Sequence, residues 1–295
     1  MASMREIKRR KGSIQSTQQI TKAMKLVSTV KLQRAKGRAE SSKPYFDYMY
    51  DTVSSMLAKS GNISHPYLQA GDSPKKAIIV ITSNRGLAGG YNSNITKLVR
   101  NSDIKKEDAV IYAIGRKGRD SLARYGYEIK ADYSEVINDP MYKDAAEIGA
   151  AVLEAFSNNE VGEIYLAYTR FKNTVSHIPT MIKLLPVDST MAKKDEDQEQ
   201  SSEAKTIEEL TLMNYEPEAE EALDMIIPKY MNSLIYGALV EALASENGAR
   251  MQAMDSATNN AEDMISDLTL SYNRARQSSI TQELTEIVAG ASAIN

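Results

Sequence analysis

The apolar positions change their period twice along the chain. From about Met4 to Leu57 they recur at three- and four-residue steps, with Ile20, Met24, Val27 and Val30 as the clearest run, which predicts helix. No glycine falls between Gly12 and Gly37, and Pro44 is expected to kink this helix or mark its end. From about Lys75 the texture alternates. Residues 76–82 (KAIIVIT) and 108–115 (DAVIYAIG) are continuous apolar runs, as in strands covered on both faces. Residues 127–133, 163–171 and 180–188 also read as strands. Residues 94–101, 143–157 and the stretch from Arg116 that Gly126 closes read as helices. This alternation predicts βαβ units and a largely parallel, doubly wound sheet.

From about Pro217 the helical period returns. After Pro228 there is no proline, and the glycines are sparse: Gly237, Gly248 and Gly290. A single helix from Lys229 to Ala289 would span roughly 90 Å at about 1.5 Å per residue. That is wider than an α/β domain, so most of it is expected to leave that domain. A helix of this length needs a stripe to bury, and the first region is its mate. The α/β part lies between the two in sequence, so they are expected to run antiparallel, Ile7 near Leu268 and Val30 near Leu243. Leu239, Leu243, Met254, Ala257, Ala261, Met264, Leu268 and Ala275 lie near one face. The stripe is thin: residues 244–263 offer only Met251 and Met254 as large apolar groups. A self-sufficient coiled coil carries Leu or Ile at most seam positions. This pair is therefore expected to pack through small residues and to be enclosed by something larger. The expected organisation is an N-terminal helix over 1–60, an α/β domain over 75–190, a mobile acidic loop over 191–206, and a C-terminal helix over 217–295.

Composition narrows the chemistry. With 295 residues and 42% hydrophobic content the chain can fill a core. A net charge of −3 names no partner, but residues 1–40 carry eleven Lys/Arg against only Glu6 and Glu40. There is no cysteine, which excludes disulfides, thiol nucleophiles and Cys-ligated zinc. His65 and His177 are the only histidines, too few for a His-rich metal site, and read as structural or solvated. No run of eighteen apolar residues appears, and the basic start lacks an apolar segment, so a cytosolic or membrane-peripheral protein is expected. The stretch NRGLAGGYN follows a strand and precedes a helix, the context of a phosphate loop. It matches neither G-x-G-x-x-G nor G-x-x-x-x-G-K-[ST], and no lysine is placed for a phosphate. Tight turn geometry is the expected role. Three classes stay open at this level: a subunit whose helix pair a partner encloses, an enzyme with helical oligomerisation arms, and a nucleic-acid-binding coiled coil. The poor His/Cys inventory weighs against the second. The lack of interleaved aromatics before Tyr45 weighs against the third.

Four segments carry a resemblance: residues 16–35 (STQQITKAMKLVSTVKLQRA), 83–92 (SNRGLAGGYN), 244–261 (ASENGARMQAMDSATNNA) and 272–293 (YNRARQSSITQELTEIVAGASA). In the last, Ile280, Thr281, Glu283, Glu286, Gly290 and Ala291 stand at a signature spacing. Over nearly its whole length the chain resembles the gamma subunit of the rotary F-type ATP synthase. The resemblance implies a Rossmann-like, mostly parallel sheet domain inserted between two long terminal helices that form an antiparallel coiled coil. It implies a central rotor shaft, non-catalytic and without cofactor or metal, that couples proton flow through the membrane ring to catalysis in the beta subunits. The implied partners are the alpha and beta subunits, the epsilon subunit and the membrane ring of c subunits, with no nucleic acid, at the cytoplasmic face of a bacterial plasma membrane. Arg276 and Gln277 match positions that grip a loop of the beta subunit, with Thr281 and Gln282 in the next turn. Arg250 and Met24 match shaft-surface positions linked with coupling. Tyr215 and Glu216 resemble the segment that faces the membrane ring. Ala88 stands where a cysteine is common, and residues 193–203 do not match a cysteine-bearing regulatory insert; both departures argue against thiol control.

Overall fold

The computed structural model describes residues 3–59, 65–187 and 219–292. The expected acidic loop at 191–206, and Tyr215 and Glu216, lie outside these residues. The chain divides into two compact units. A sheet unit comprises Lys31–Ala249, and a helical unit comprises Met1–Val30 with Arg250–Asn295. The elements in chain order are α1 (Met4–Lys59), β1 (Lys76–Ile81), α2 (Tyr91–Arg100), β2 (Ala109–Ile114), α3 (Arg116–Arg124), β3 (Glu128–Asp132), α4 (Tyr142–Ser157), β4 (Glu163–Phe171), β5 (His177–Leu185) and α5 (Ala219–Ser292).

The sheet has the order β3-β2-β1-β4-β5. β1, β2, β3 and β4 pair in parallel, and β5 runs antiparallel to β4. The apolar runs of β1 and β2 are explained by their position, because both faces of the sheet are covered. Ala77, Ile79 and Ile81 of β1 face a core shared with Ile148 and Val152 of α4 and Leu223, Ile227, Met231, Ile235 and Leu239 of α5. Ile78 and Val80 face the other core, with Ile95 and Val99 of α2 and Leu122 of α3. β3 is an edge strand and alternates between half-buried and exposed residues, as an edge allows. α5 is thus one covering layer of the sheet up to Ala249, and Leu239 packs there.

Pro44 neither ends nor interrupts α1, which runs unbroken from Met4 to Lys59. The ring is exposed, so the carbonyl that it deprives of a partner, at Glu40, can turn to water. Pro228 is likewise inside α5.

In the helical unit, α1 and α5 are antiparallel. Thr21 Oγ1 and Thr258 Oγ1 are 2.8 Å apart, and Lys25 Nζ donates to Asp255 Oδ1 at 2.6 Å. This register carries Ile7 to residues 272–273, about one helical turn beyond the expected Leu268. The helix period was right, but the expected apolar run of α1 is not the seam. The seam positions step by sevens through Met4, Ile7, Lys11, Ile14, Gln18, Thr21, Lys25 and Ser28, all buried or half-buried. Ile20, Val27 and Val30 are 58%, 57% and 55% exposed. On α5, Met254 and Ala261 are buried and Leu268 and Ala275 half-buried, whereas Met264 is exposed.

Candidate functional site

The seam of the helical unit is mixed. Met4, Ile7, Ile14, Met254 and Leu268 alternate there with hydroxyls, an amide and an ion pair, while Ile20, Val27 and Val30 point outward. Thr21 and Thr258 show how such a seam is satisfied. Thr21 Oγ1 is 3.0 Å from Gln18 C=O, and Thr258 Oγ1 is 2.7 Å from Met254 C=O. Each hydroxyl has one proton, so one threonine donates across the seam and the other to its own helix. A neutral hydrogen bond of this kind contributes about 1 kcal/mol. The Lys25–Asp255 pair has side chains 40% and 46% exposed, so it contributes about 0–1 kcal/mol. Small residues on both helices permit close approach, but the seam buries little apolar area.

The outward faces carry the remaining apolar side chains. Ile20, Leu26, Val27 and Val30 are exposed on α1, and Met264 and Leu270 on α5. Beyond Ser279 every residue of α5 with a described side chain is exposed. There Ile280, Leu284, Ile287 and Val288 form a stripe along one face. The first turns of α1 add exposed Arg5, Lys8, Arg9 and Arg10.

The residues singled out from the sequence fall into two groups. Arg276, Gln277, Thr281 and Gln282 are exposed positions within two turns of α5. Thr281 Oγ1 donates to Gln277 C=O at 2.9 Å, and Gln282 Nε2 donates to Glu286 Oε1 at 3.0 Å. At about 100° per residue, Gln277 and Thr281 share a face, while Arg276 and Gln282 look out on either side of it. The four therefore encircle the helix rather than forming one patch. Met24 and Arg250 are half-buried on α1 and α5. They are not grouped with the first four along α5. The outward set Ile20, Leu26, Val27 and Val30 was missed as a surface. The available signal was the competing seven-residue repeat of small and polar residues through Thr21, Lys25 and Ser28.

In the sheet unit, the loop after β1 is closed by its own side chains. Asn92 Oδ1 accepts from the Ser83 N–H at 2.9 Å, Ser83 Oγ donates to Arg85 C=O at 2.6 Å, and Asn84 Nδ2 donates to Ser134 C=O at 2.7 Å. Leu87 takes a positive φ of 62° and is exposed, while Ala88 beside it is buried. Tyr91 OH donates to Ala242 C=O at 3.2 Å and ties the loop to α5. Both histidines are built into packing. His65 Nδ1 accepts from the Tyr67 N–H and Nε2 lies 3.2 Å from Asp224. His177 has a buried Nε2, and burial pushes its pKa down. Among the described residues, no group of three or more His, Cys, Asp or Glu is placed to hold a metal, and no helix is long and apolar enough to cross a membrane.

Known proteins of the same build follow from these features. A family model described as ATP synthase matches residues 3–294. The ATP synthase gamma chain of Lachnoclostridium phytofermentans is 77% identical over 295 residues, covering 100% of both chains. The sodium-ion-specific ATP synthase gamma chain of Acetobacterium woodii is 43% identical over 299 residues, covering 99% of both. A chain in the central stalk and c-ring structure of Tetrahymena thermophila mitochondrial ATP synthase has 25% identity and a TM-score of 0.59, over 81% of this chain and 99% of that one. A chain of Euglena gracilis mitochondrial ATP synthase has a TM-score of 0.69 at 20% identity, over 99% and 94%, and shares the fold. The chain belongs to the ATP synthase gamma-chain family.

Proposed function

We propose that this chain is the central rotor shaft of an F-type ATP synthase, coupling ion flow through a membrane ring to ATP synthesis or hydrolysis by rotation. The helical unit is the shaft within a ring of alpha and beta subunits. The sheet unit is the foot, which meets the epsilon subunit and the ring of c subunits at the cytoplasmic face of a bacterial plasma membrane. The chain itself carries no catalytic group; catalysis resides in the beta subunits. Arg276 and Gln277, with Thr281 and Gln282, grip a loop of the beta subunit. Arg250 and Met24 act at the shaft surface, and Tyr215 and Glu216 face the membrane ring.

One observation carries this reading: a helix pair whose seam is half small and polar residues, and which leaves Ile20, Leu26, Val27, Val30 and the stripe from Ile280 to Val288 outside. Such a pair is weak alone and complete only within a sleeve. The encircling arrangement of Arg276, Gln277, Thr281 and Gln282 fits a partner that surrounds the helix.

The test uses the absence of native cysteine. Glu107→Cys places a single thiol on the exposed surface of the sheet unit. The chain is assembled with alpha, beta and epsilon subunits, the beta subunits are fixed to glass, and a gold rod is attached to the thiol. ATP should drive stepwise rotation in one direction. ATP hydrolysis with a stationary rod would refute the shaft reading.

A further inference from the structure

Three close approaches in the sheet unit all involve α5. Asn232 of α5 enters a notch at Gly149 of α4, where a Cβ would lie 1.9 Å from Asn232 Oδ1. Phe46 of α1 lies against Gly237 of α5, where a Cβ would lie 3.2 Å from the ring edge. His177 of β5 lies against Gly248 of α5, where a Cβ would lie 2.5 Å from His177 Nε2. At Gly149 and Gly248 a side chain occupies the place that a Cβ would fill, and at Gly237 the Phe46 ring packs tightly against it. The three contacts engage three different elements around one helix.

Their placement on α5 is informative. From Asn232 to Gly248 is about 24 Å along the axis at about 1.5 Å per residue. At about 100° per residue, Gly237 and Gly248 share one side, and Asn232 lies roughly opposite them. Rotation of α5 about its axis, or sliding along it, would drive each inserted side chain into a wall of its notch. Close-packed contacts of this kind resist small displacements instead of yielding continuously. A smooth apolar face offers no such stop.

The chemistry of the inserted groups points the same way. Asn232 Oδ1 and His177 Nε2 are buried with no hydrogen-bond partner. A buried polar atom without a partner costs stability, and an apolar group of the same shape would not. Neither atom is held by a hydrogen bond, so what each supplies at its notch is bulk at a fixed position.

We infer that Asn232 in Gly149, Phe46 in Gly237 and His177 in Gly248 form a keyed joint that locks α5 in the foot, and that this joint sets how much load the rotor bears before α5 yields in its seat. The inference rests on the rotor reading above. These are positioning residues: they touch no substrate and act through the seating of α5.

The experiment compares emptied and refilled notches in the whole complex, reconstituted into vesicles. The emptied variant is Asn232→Ala, Phe46→Ala and His177→Ala together; each truncation removes a knob without adding a clash. The refilled variant is Asn232→Leu, which keeps the branched outline and drops the unpartnered oxygen. ATP hydrolysis and ion uptake are measured together while the opposing gradient is raised. The emptied variant should hydrolyse ATP within about twofold of the parent without load. Its ions moved per ATP should fall at least twofold under load. Asn232→Leu should match the parent throughout. If the triple variant does not assemble, Asn232→Ala and His177→Ala are read singly, each with a smaller loss of the same ratio. A parent-like ratio in the emptied variants at every gradient would overturn the joint. So would a loss in Asn232→Leu equal to that in Asn232→Ala, since it would assign the effect to amide chemistry. A parent complex that hydrolyses ATP without moving ions would instead count against the rotor reading itself.

Discussion

Glu163 sits between two lysines on neighbouring strands. Lys76 and Lys183 each approach its carboxylate to 2.6 Å, and Tyr165 OH donates to it at 3.0 Å. Burial pushes the Glu163 carboxyl up, but the hydrogen bonds from Lys183, Lys76 and Tyr165 outweigh it and hold the pKa at about 2. A carboxylate held low stabilises the fold above its unfolded pKa, and that contribution is lost as pH falls toward the folded one. The window is therefore from about pH 4.5 down to about pH 2. The lysine side chains are 32% and 38% exposed. Solvent screening thus limits the contribution to about 2 kcal/mol rather than full conversion of the shift. Urea unfolding of the full chain at pH 6 and pH 3, followed by sheet circular dichroism, should show this loss in the parent and little of it in Glu163→Gln. Equal pH slopes in both would remove Glu163 from the account. A second residue-scale expectation concerns Arg276 and Gln277, which are exposed on α5. Charge-assisted hydrogen bonds to a partner contribute roughly 1.5–3 kcal/mol. Changing both to Ala should lower ATP hydrolysis and synthesis about tenfold, since about 1.4 kcal/mol is a factor of ten, with complex assembly unchanged by size-exclusion chromatography. Loss of assembly would move these residues from torque to docking.

At the scale of elements, the strands were the most legible part of the sequence. β1 and β2 are covered on both faces, so KAIIVI and AVIYAI have no polar alternation to confuse with a helix. The reversed run of the two long helices was legible from connectivity, because the sheet domain lies between them. The seam was not. Thr21, Lys25 and Ser28 look like surface residues, while Ile20, Val27 and Val30 look like core, and the structure reverses these roles. Periodicity reports that a face exists; it does not report whether that face meets the same chain or another. Pro44 does not mark the end of α1, which continues to Lys59. Arg276, Gln277, Thr281 and Gln282 were singled out by the family resemblance alone, and their spread around the helix came only from its geometry. Engineered cysteines test the register directly. A disulfide needs Cα atoms within about 7 Å. Thr21→Cys should cross-link to Thr258→Cys, whose hydroxyls are 2.8 Å apart in the parent, and not to Ile265→Cys, two turns further along α5. Ile7→Cys should cross-link near Tyr272 in preference to Leu268. Cross-linking of Thr21→Cys to Ile265→Cys alone would shift the seam by one heptad.

For the molecule as a whole, the two units have opposite sources of order. The sheet unit carries two apolar cores of its own, with Ile78, Ile79, Ile111 and Ile164 fully buried. The helical unit has a thin seam as far as Ser279, and beyond it residues 280–290 of α5 are all exposed. Helix segments without packing are marginal in water, and backbone that opens easily exchanges its amide hydrogens easily. Residues 280–290 should therefore exchange within seconds to minutes in the isolated chain. Residues 77–81 and 110–114, in the centre of the sheet, should stay protected and serve as the internal reference. Enclosure of Ile280, Leu284, Ile287 and Val288 by a surrounding ring would bury their apolar stripe and hold the last turns closed. In the assembled complex, exchange over 280–290 should then slow by at least about 100-fold, which corresponds to about 2.7 kcal/mol of local stabilisation. The sheet reference should change little between the two states. Exchange over 280–290 that stays equally fast in the complex would mean that the tip of α5 is not enclosed, and that its apolar stripe needs another explanation.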